Sequence, residues 1–307
     1  MKILLGTHYL KGTGGTECYT YALAMELKRL GHQVEYYAIE KGDVSRRLEE
    51  QGIPFFSNDN YDLILANHTT VVDDLSIIIH YPSPIIQTCH GKTVELEQPS
   101  PFATAHVAVS AEVALHLSTL GYSVAAIIYN GIDCERFFPE RPVNATLQTV
   151  LSLCQGERAH EFVERCCKRV GLNFIRADKS KDNVWEIEKL INQADLVVGL
   201  GRSIYDAMAC GRCALIYDFR DYIDAPLSDG MVMPDTIERA LTCNCCGRAF
   251  NIKWHENSFA SMMCLYYSPL LANWSRGYAV AHFNIRKSVQ KYLQVYEQLK
   301  QKNYEFT

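Results

Sequence analysis

Short apolar runs separated by amphipathic stretches recur along the whole chain. Lys2 to Leu5 reads as a short buried strand, and "GTHYLKGTGGT" reads as the loop after it. The next stretch, "ECYTYALAMELKRLG", repeats Leu23, Leu27 and Leu30 at helical spacing before Gly31 closes it. "HQVEYYAIE" then has the pattern of a second strand. Strand, loop, helix, strand is the opening of a doubly wound parallel sheet. Further strands are expected at "YDLILAN", "LSIIIHY", "PIIQTC", "HVAVS" and "VAAIIYN", with a helix at "AEVALHLSTLG". These runs are apolar throughout rather than alternating, which predicts a sheet covered on both faces.

The pattern breaks between Pro139 and Thr146, where "PERPVNAT" brings two prolines among polar residues. A second series follows: strand "TVLSLC", helix "AHEFVERCCKRVG", strand "LNFIRA", helix "VWEIEKLINQA", strand "DLVVG", a helix, and strand "CALIYD". Two Rossmann-like domains are therefore expected, 1–141 and 142–283, with ligands at the carboxyl ends of their strands. A final helix over 284–302, opened by Asn284 as a cap, carries Ile285, Val289, Tyr292, Val295 or Tyr296, and Leu299 on one stripe. Such a stripe must be covered, either by packing back on the first domain or by an oligomer contact.

The segment "ADLVVGLGRSIYDAMACGR" (194–212) joins a buried strand to a helix through two glycines. Gly199 and Gly201 permit a sharp turn, Ser203 has the chemistry of a helix cap, and Gly211 stops the helix. The first amides of a helix have no partner inside it, and with the helix dipole they favour an anion, phosphate being the commonest. The plainer alternative is structural: Asp206, three residues after Ser203, completes a weak capping box.

Composition narrows the class. The 307 residues are 48% apolar, sufficient for two cores, and the formal charge of −5 argues against a nucleic-acid partner. Most of the twelve cysteines sit singly in apolar segments, where a reduced thiol packs as a small hydrophobe. Cys243, Cys245 and Cys246 cluster, but no second pair or spaced histidines completes a zinc pattern. The first apolar run is too short for a signal peptide, and no run approaches a membrane span. A reducing, cytoplasmic setting is expected.

Three stretches in order resemble the GT-B glycosyltransferases, in particular the large retaining glycosyltransferase family 4. They are "GTGGTECYTYALAMELKRLGHQV", "IIYNGIDCERFFP" and "ADLVVGLGRSIYDAMACGRCALIYD". The resemblance implies two Rossmann-like doubly wound domains facing across a cleft, a nucleotide-diphosphate sugar on the carboxy-terminal domain, and a glycan or lipid-linked acceptor on the other. A lipid-linked acceptor would allow peripheral membrane contact. By similarity, Gly199, Gly201 and Ser203 meet the donor diphosphate, with Arg202 as a guanidinium in the same turn, and Asp206 stands where the family holds the ribose with a glutamate. Gly14 and Gly15 let backbone approach the sugar, Glu17 follows one turn in, and His90 occupies a place where members carry a histidine near the sugar. His90, Arg158 and Arg202 are the candidate catalytic residues. Glu17 and His90 also have plain structural readings, as a solvated helix-start acid and a strand-end histidine.

Retaining transfer builds charge on the leaving diphosphate, so cations and amides there matter most. The chain has neither the paired carboxylates of a glycoside hydrolase nor an Asp-x-Asp metal motif, and no metal or other cofactor is expected. Two departures from the family stand out: the turn "GLGRS" lacks the family's first acid, and "LSLCQGERAHEF" offers Arg158 where members bring an Arg and a Lys. These keep open a catalytically weak or inactive GT-B-like protein that binds nucleotide or glycan or supports a partner. A dinucleotide-dependent oxidoreductase is disfavoured, since "GTHYLKGTGG" lacks G-x-G-x-x-G spacing and only Glu35 or Glu40 could serve as the second-strand acid.

Overall fold

The computed structural model describes residues 1–79, 83–177 and 184–305, with side chains described as far as 301. The chain divides into two compact units, 1–131 with 285–307 and 132–284.

The first unit opens on β1 (Lys2–Tyr9), α1 (Gly15–Arg29), β2 (Gln33–Glu40) and α2 (Asp43–Glu50), then β3 (Leu63–Ala66), α3 (Thr69–Ile78) and β4 (Ile85–Cys89). It continues through β5 (Ala105–Ala108), α4 (Ala111–Thr119) and β6 (Val124–Ile127). The strands form one sheet in the order β2-β1-β3-β4-β5-β6, and every pairing is parallel. β1 runs past the expected Leu5 because Thr7 still pairs with Ala38 and Tyr9 with Glu40. Gly6 is needed for close packing: a Cβ there would stand 2.7 Å from Val71 Cγ1 on α3.

Two expectations fail in this unit. "LSIIIHY" is not a strand over its described part: Leu75 to Ile78 close α3, while His80 and Tyr81 lie outside the described residues. Val71, Val72 and Leu75 bury one face of that helix, so tertiary packing overrides the β-branched preference. In α1, Leu23 and Leu27 are buried, but Leu30 caps the end and is exposed.

The second unit contains β7 (Thr149–Ser152), α5 (Glu157–Arg169), β8 (Asn173–Arg176), α6 (Ile187–Gln193), β9 (Leu196–Gly199) and α7 (Arg202–Ala209). β10 (Cys213–Asp218), β11 (Leu227–Met231), α8 (Ile237–Leu241), α9 (Glu256–Tyr266) and α10 (Pro269–His282) complete it. The strand order is β11-β10-β9-β7-β8, parallel except for β11. One face of the sheet packs Val150, Val198 and Leu215 under α5 and α9, with Tyr217 stacked on Phe162 at 4.9 Å.

The boundary between units falls at Gly131/Ile132, not at 141/142. Residues 132–141 are fastened to the second unit by polar contacts that composition does not reveal. Arg276 donates to the carbonyls of Cys134, Phe137 and Ala209. Arg136 pairs with Glu188 at 2.9 Å, and the Glu140 N–H donates to Asn192 Oδ1. Fully buried Arg212 donates to the carbonyls of Arg141, Ile191, Asn192, Ala194 and Cys210. Buried Asp195 accepts N–H bonds from Asn144, Gln148 and Thr149.

The last helix, α11 (Ile285–Glu305), belongs to the first unit. Ile285, Val289, Tyr292, Val295 and Tyr296 are buried. The Tyr292 hydroxyl lies 2.9 Å from that of Tyr19 on α1 and 2.7 Å from Thr88 Oγ1 on β4. The stripe is thus covered within this chain from Ile285 to Tyr296, and Leu299 is half-buried. Among the described residues, no helix is long and apolar enough to cross a membrane, and no group of three or more His, Cys, Asp or Glu is arranged to hold a metal.

Candidate functional site

In the first unit, β1, β3 and β4 are neighbours in a parallel sheet, so their carboxyl ends deliver His8, Asn67, His68 and His90 to one edge. The His8 N–H donates to His68 Nδ1 at 3.0 Å, which makes Nδ1 the acceptor and puts the proton of the neutral ring on Nε2. Burial, and then His8, push His68 down to about 4. His90 Nε2 lies 3.0 Å from Asn67 Oδ1, and its ring meets Tyr19 edge-on at 6.0 Å. Burial, and then His68, push His90 down to about 3, so both rings are neutral at physiological pH. A neutral imidazole presents one donor and one acceptor, the pair that a hydroxyl requires.

The amino end of α1 belongs to the same edge. Gly14 is the N-cap, and Asn67 Nδ2 donates to Thr20 Oγ1 on the helix at 2.9 Å. Over Gly14, where backbone was expected to approach a sugar, lies the end of a flexible side chain. The Glu17 carboxylate folds back over the glycine, so a methyl group on Gly14 would overlap that carboxylate. The acid sits where the helix dipole favours negative charge. Gly15, the first helical residue, is exposed.

The turn in the second unit also departs from expectation. Gly201, at φ +54°, is the N-cap of α7, and Ser203 lies inside the helix, so neither a Ser203 cap nor a capping box with Asp206 forms. The Gly201 N–H donates to the Cys245 carbonyl at 2.9 Å, and the Ser203 N–H to the Leu200 carbonyl at 3.1 Å. Two of the three amides expected to meet an anion, those of Gly201 and Ser203, are thus bonded to the protein's own carbonyls. Gly199 serves close packing, since a Cβ there would lie 3.1 Å from Ser203 Cβ.

The charged candidates are committed as well. Arg202 and Asp206 are buried and face each other at 3.5 Å. Arg158 is exposed, lies over Phe219 at 4.0 Å and donates to the carbonyls of Arg220 and Ile223 at 3.1 and 3.0 Å. It fastens the loop after β10.

The segment that supplies the Cys245 carbonyl is held under strain. Asn244, Cys245 and Asn251 all have positive φ, at 54°, 49° and 52°; asparagine tolerates this region, so the cost, roughly 1–2 kcal/mol, falls on Cys245. Asn244 Oδ1 accepts from Tyr205 on α7 at 2.8 Å. Buried Asp229 on β11 accepts from the Gly247 and Phe250 N–H groups at 3.1 and 2.7 Å. Burial raises its carboxyl above the usual range against the pull of those donors.

Sequence reasoning missed His8, Asn67, His68, Asn244, Cys245 and Asp229. The first three had a signal: each lies at or just after the end of an apolar strand, where open α/β sheets bind ligands. The other three had none for these contacts, which are non-local: the Cys245 carbonyl reaches Gly201 from more than forty positions away.

No family model matches the chain, and no curated protein matches it in sequence. Solved structures do match in fold. An α-glucosyltransferase in complex with UDP and a 13-mer DNA containing a HMU base has a TM-score of 0.59 at 10% identity, over 97% of this chain and 99% of that one. The UDP-GlcNAc 2-epimerase from Neisseria meningitidis bound to UDP-GlcNAc gives 0.55 at 12% identity, over 97% and 100%. The catalytic domain of starch synthase IV from Arabidopsis thaliana bound to ADP and acarbose gives 0.53 at 13% identity, over 97% and 99%. The chain has the GT-B fold, with two Rossmann-like α/β domains.

Proposed function

We propose that this chain moves a sugar from a nucleoside diphosphate to an acceptor hydroxyl. The observation that carries the reading is the edge of the first sheet, where neutral His68 and His90 offer fixed donors and acceptors. The fold, shared from end to end with proteins that hold UDP, UDP-GlcNAc or ADP, supports a sugar nucleotide as the ligand. In this reading His90 and His68 bond sugar hydroxyls, and the second unit takes the nucleotide. The motif resemblance favours retention, a glycan or lipid-linked acceptor and a mechanism without metal.

A second reading, a GT-B protein that binds without turnover, is favoured by one observation: the Gly201 N–H is taken by Cys245, and Arg202 lies against Asp206. Calorimetry with UDP, ADP, GDP and CDP, followed by assay of diphosphate release from the matching sugar nucleotides, separates the readings. Transfer predicts binding of at least one nucleotide and acceptor-dependent release. Binding without release supports the second reading, and no binding to any nucleotide overturns both. Proton spectra of the product fix its anomeric outcome.

A further inference from the structure

A line of side chains joins α1 to His90, and each member has one way to hydrogen-bond. The Thr20 hydroxyl donates to the Thr16 carbonyl at 2.8 Å, and a carbonyl only accepts, so the hydroxyl proton is used there. Thr20 Oγ1 is then an acceptor toward Asn67, which must present its Nδ2 at 2.9 Å. That fixes the amide: Oδ1 is the atom that faces His90 Nε2 at 3.0 Å. An amide oxygen cannot donate, so the ring proton must be on Nε2 and the lone pair on Nδ1. Among the described residues no group bonds to that Nδ1. Thr20 and Asn67 are both buried, so water does not compete with the arrangement.

The geometry points to Asn67 as a positioning residue that, with Thr20, locks His90 as the Nε2–H tautomer and holds its Nδ1 ready to accept from a sugar or acceptor hydroxyl. The tautomer follows from the hydrogen bonds alone; its consequence for turnover rests on the transferase reading. A backbone carbonyl of α1 is thus the origin of the polarity of a ring just after β4, through two side chains. Asn67 acts through His90, to which its Oδ1 is bonded. Its effect is on which lone pair is offered, and a wrong tautomer presents a donor where the site needs an acceptor.

The test uses the full chain labelled with 15N-histidine and long-range proton–nitrogen correlation at pH 7. Ten histidines are present, and His90→Gln assigns the signal by its loss. The unaltered protein is expected to show His90 bare at Nδ1 and protonated at Nε2. Asn67→Leu removes the acceptor, and a mixed or inverted pattern is expected. Thr20→Val keeps the shape but frees the amide to turn, giving a partial change. Asn67→Asp restores an acceptor and should restore the tautomer. In transfer assays Asn67→Leu should lower kcat by about 10- to 100-fold with nucleotide binding unchanged, and Asn67→Asp should recover much of it. Protonation at Nδ1 in the unaltered protein, or an unchanged pattern in a folded Asn67→Leu, overturns the assignment. A correct tautomer in a protein without transfer activity would instead overturn the transferase reading and leave the lock standing.

Discussion

Asp195 shows how much one buried side chain can organise. Burial alone would raise its carboxyl, but the N–H groups of Asn144, Thr149 and Gln148 outweigh it, and the group is held below the usual carboxylate range. A carboxyl depressed in the folded state contributes stability above its unfolded value, roughly pH 4, and that contribution is lost as pH falls through the folded value. The second unit should therefore weaken steadily toward pH 3. Asp195→Asn should be less stable at pH 7 and show a flatter decline, measured as the urea midpoint between pH 7 and pH 3. Equal slopes for the two proteins would remove Asp195 as the source. Arg212 works by a different route, since five carbonyl acceptors surround it and its charge caps the end of α6. Neither residue looked different in the sequence from a surface charge, because the carbonyls that hold Arg212 and the amides that hold Asp195 carry no side-chain signature.

At the scale of elements, the strained segment 244–251 and the turn it covers form one unit of behaviour. The left-handed Cys245 favours release, and Asp229 opposes it by accepting from the N–H groups of Gly247, Ala249, Phe250 and Asn251. Asp229→Asn places an NH2 group among donors and should loosen the segment. Hydrogen exchange at the Gly201 amide is expected to accelerate about 10-fold or more, and UDP binding to tighten, since phosphate and the Cys245 carbonyl compete for one N–H. Unchanged exchange would show that Asp229 does not govern the segment. The strand–helix alternation was legible in the sequence, because two-sided burial leaves long apolar runs such as "LVVG" and "CALIYD". α3 was not, since its valines and isoleucines suit a strand equally well until packing decides. The turn at Gly201 was legible as a turn, and the carbonyl that closes it was not, because that contact is non-local.

For the whole molecule, the division at Gly131/Ile132 and at Asn284/Ile285 makes one unit continuous in sequence and the other interrupted. A fragment 132–284 keeps the Arg136–Glu188 pair and the carbonyl acceptors of Arg276, whereas 142–284 loses the pair and two of the acceptors. The longer fragment is expected to melt higher by ~4 °C or more, read by calorimetry on both. Equal melting would mean that residues 132–141 contribute nothing to that unit. The sequence placed the boundary by its prolines, but Pro139, although exposed, packs against Gly211, with only 2.9 Å between its Cγ and a Cβ built there, and so belongs with the second unit.

The coverage of Tyr19 and Thr88 by Tyr292 on α11 has a consequence for biosynthesis. On the ribosome, residues 1–131 emerge first but lack the helix that closes them, while 132–284 have all their own parts before that helix is translated. The sheet made earliest must wait, half-clothed, until the rest of the chain has been threaded out, and a stall before residue 285 would leave that nascent surface to chaperones.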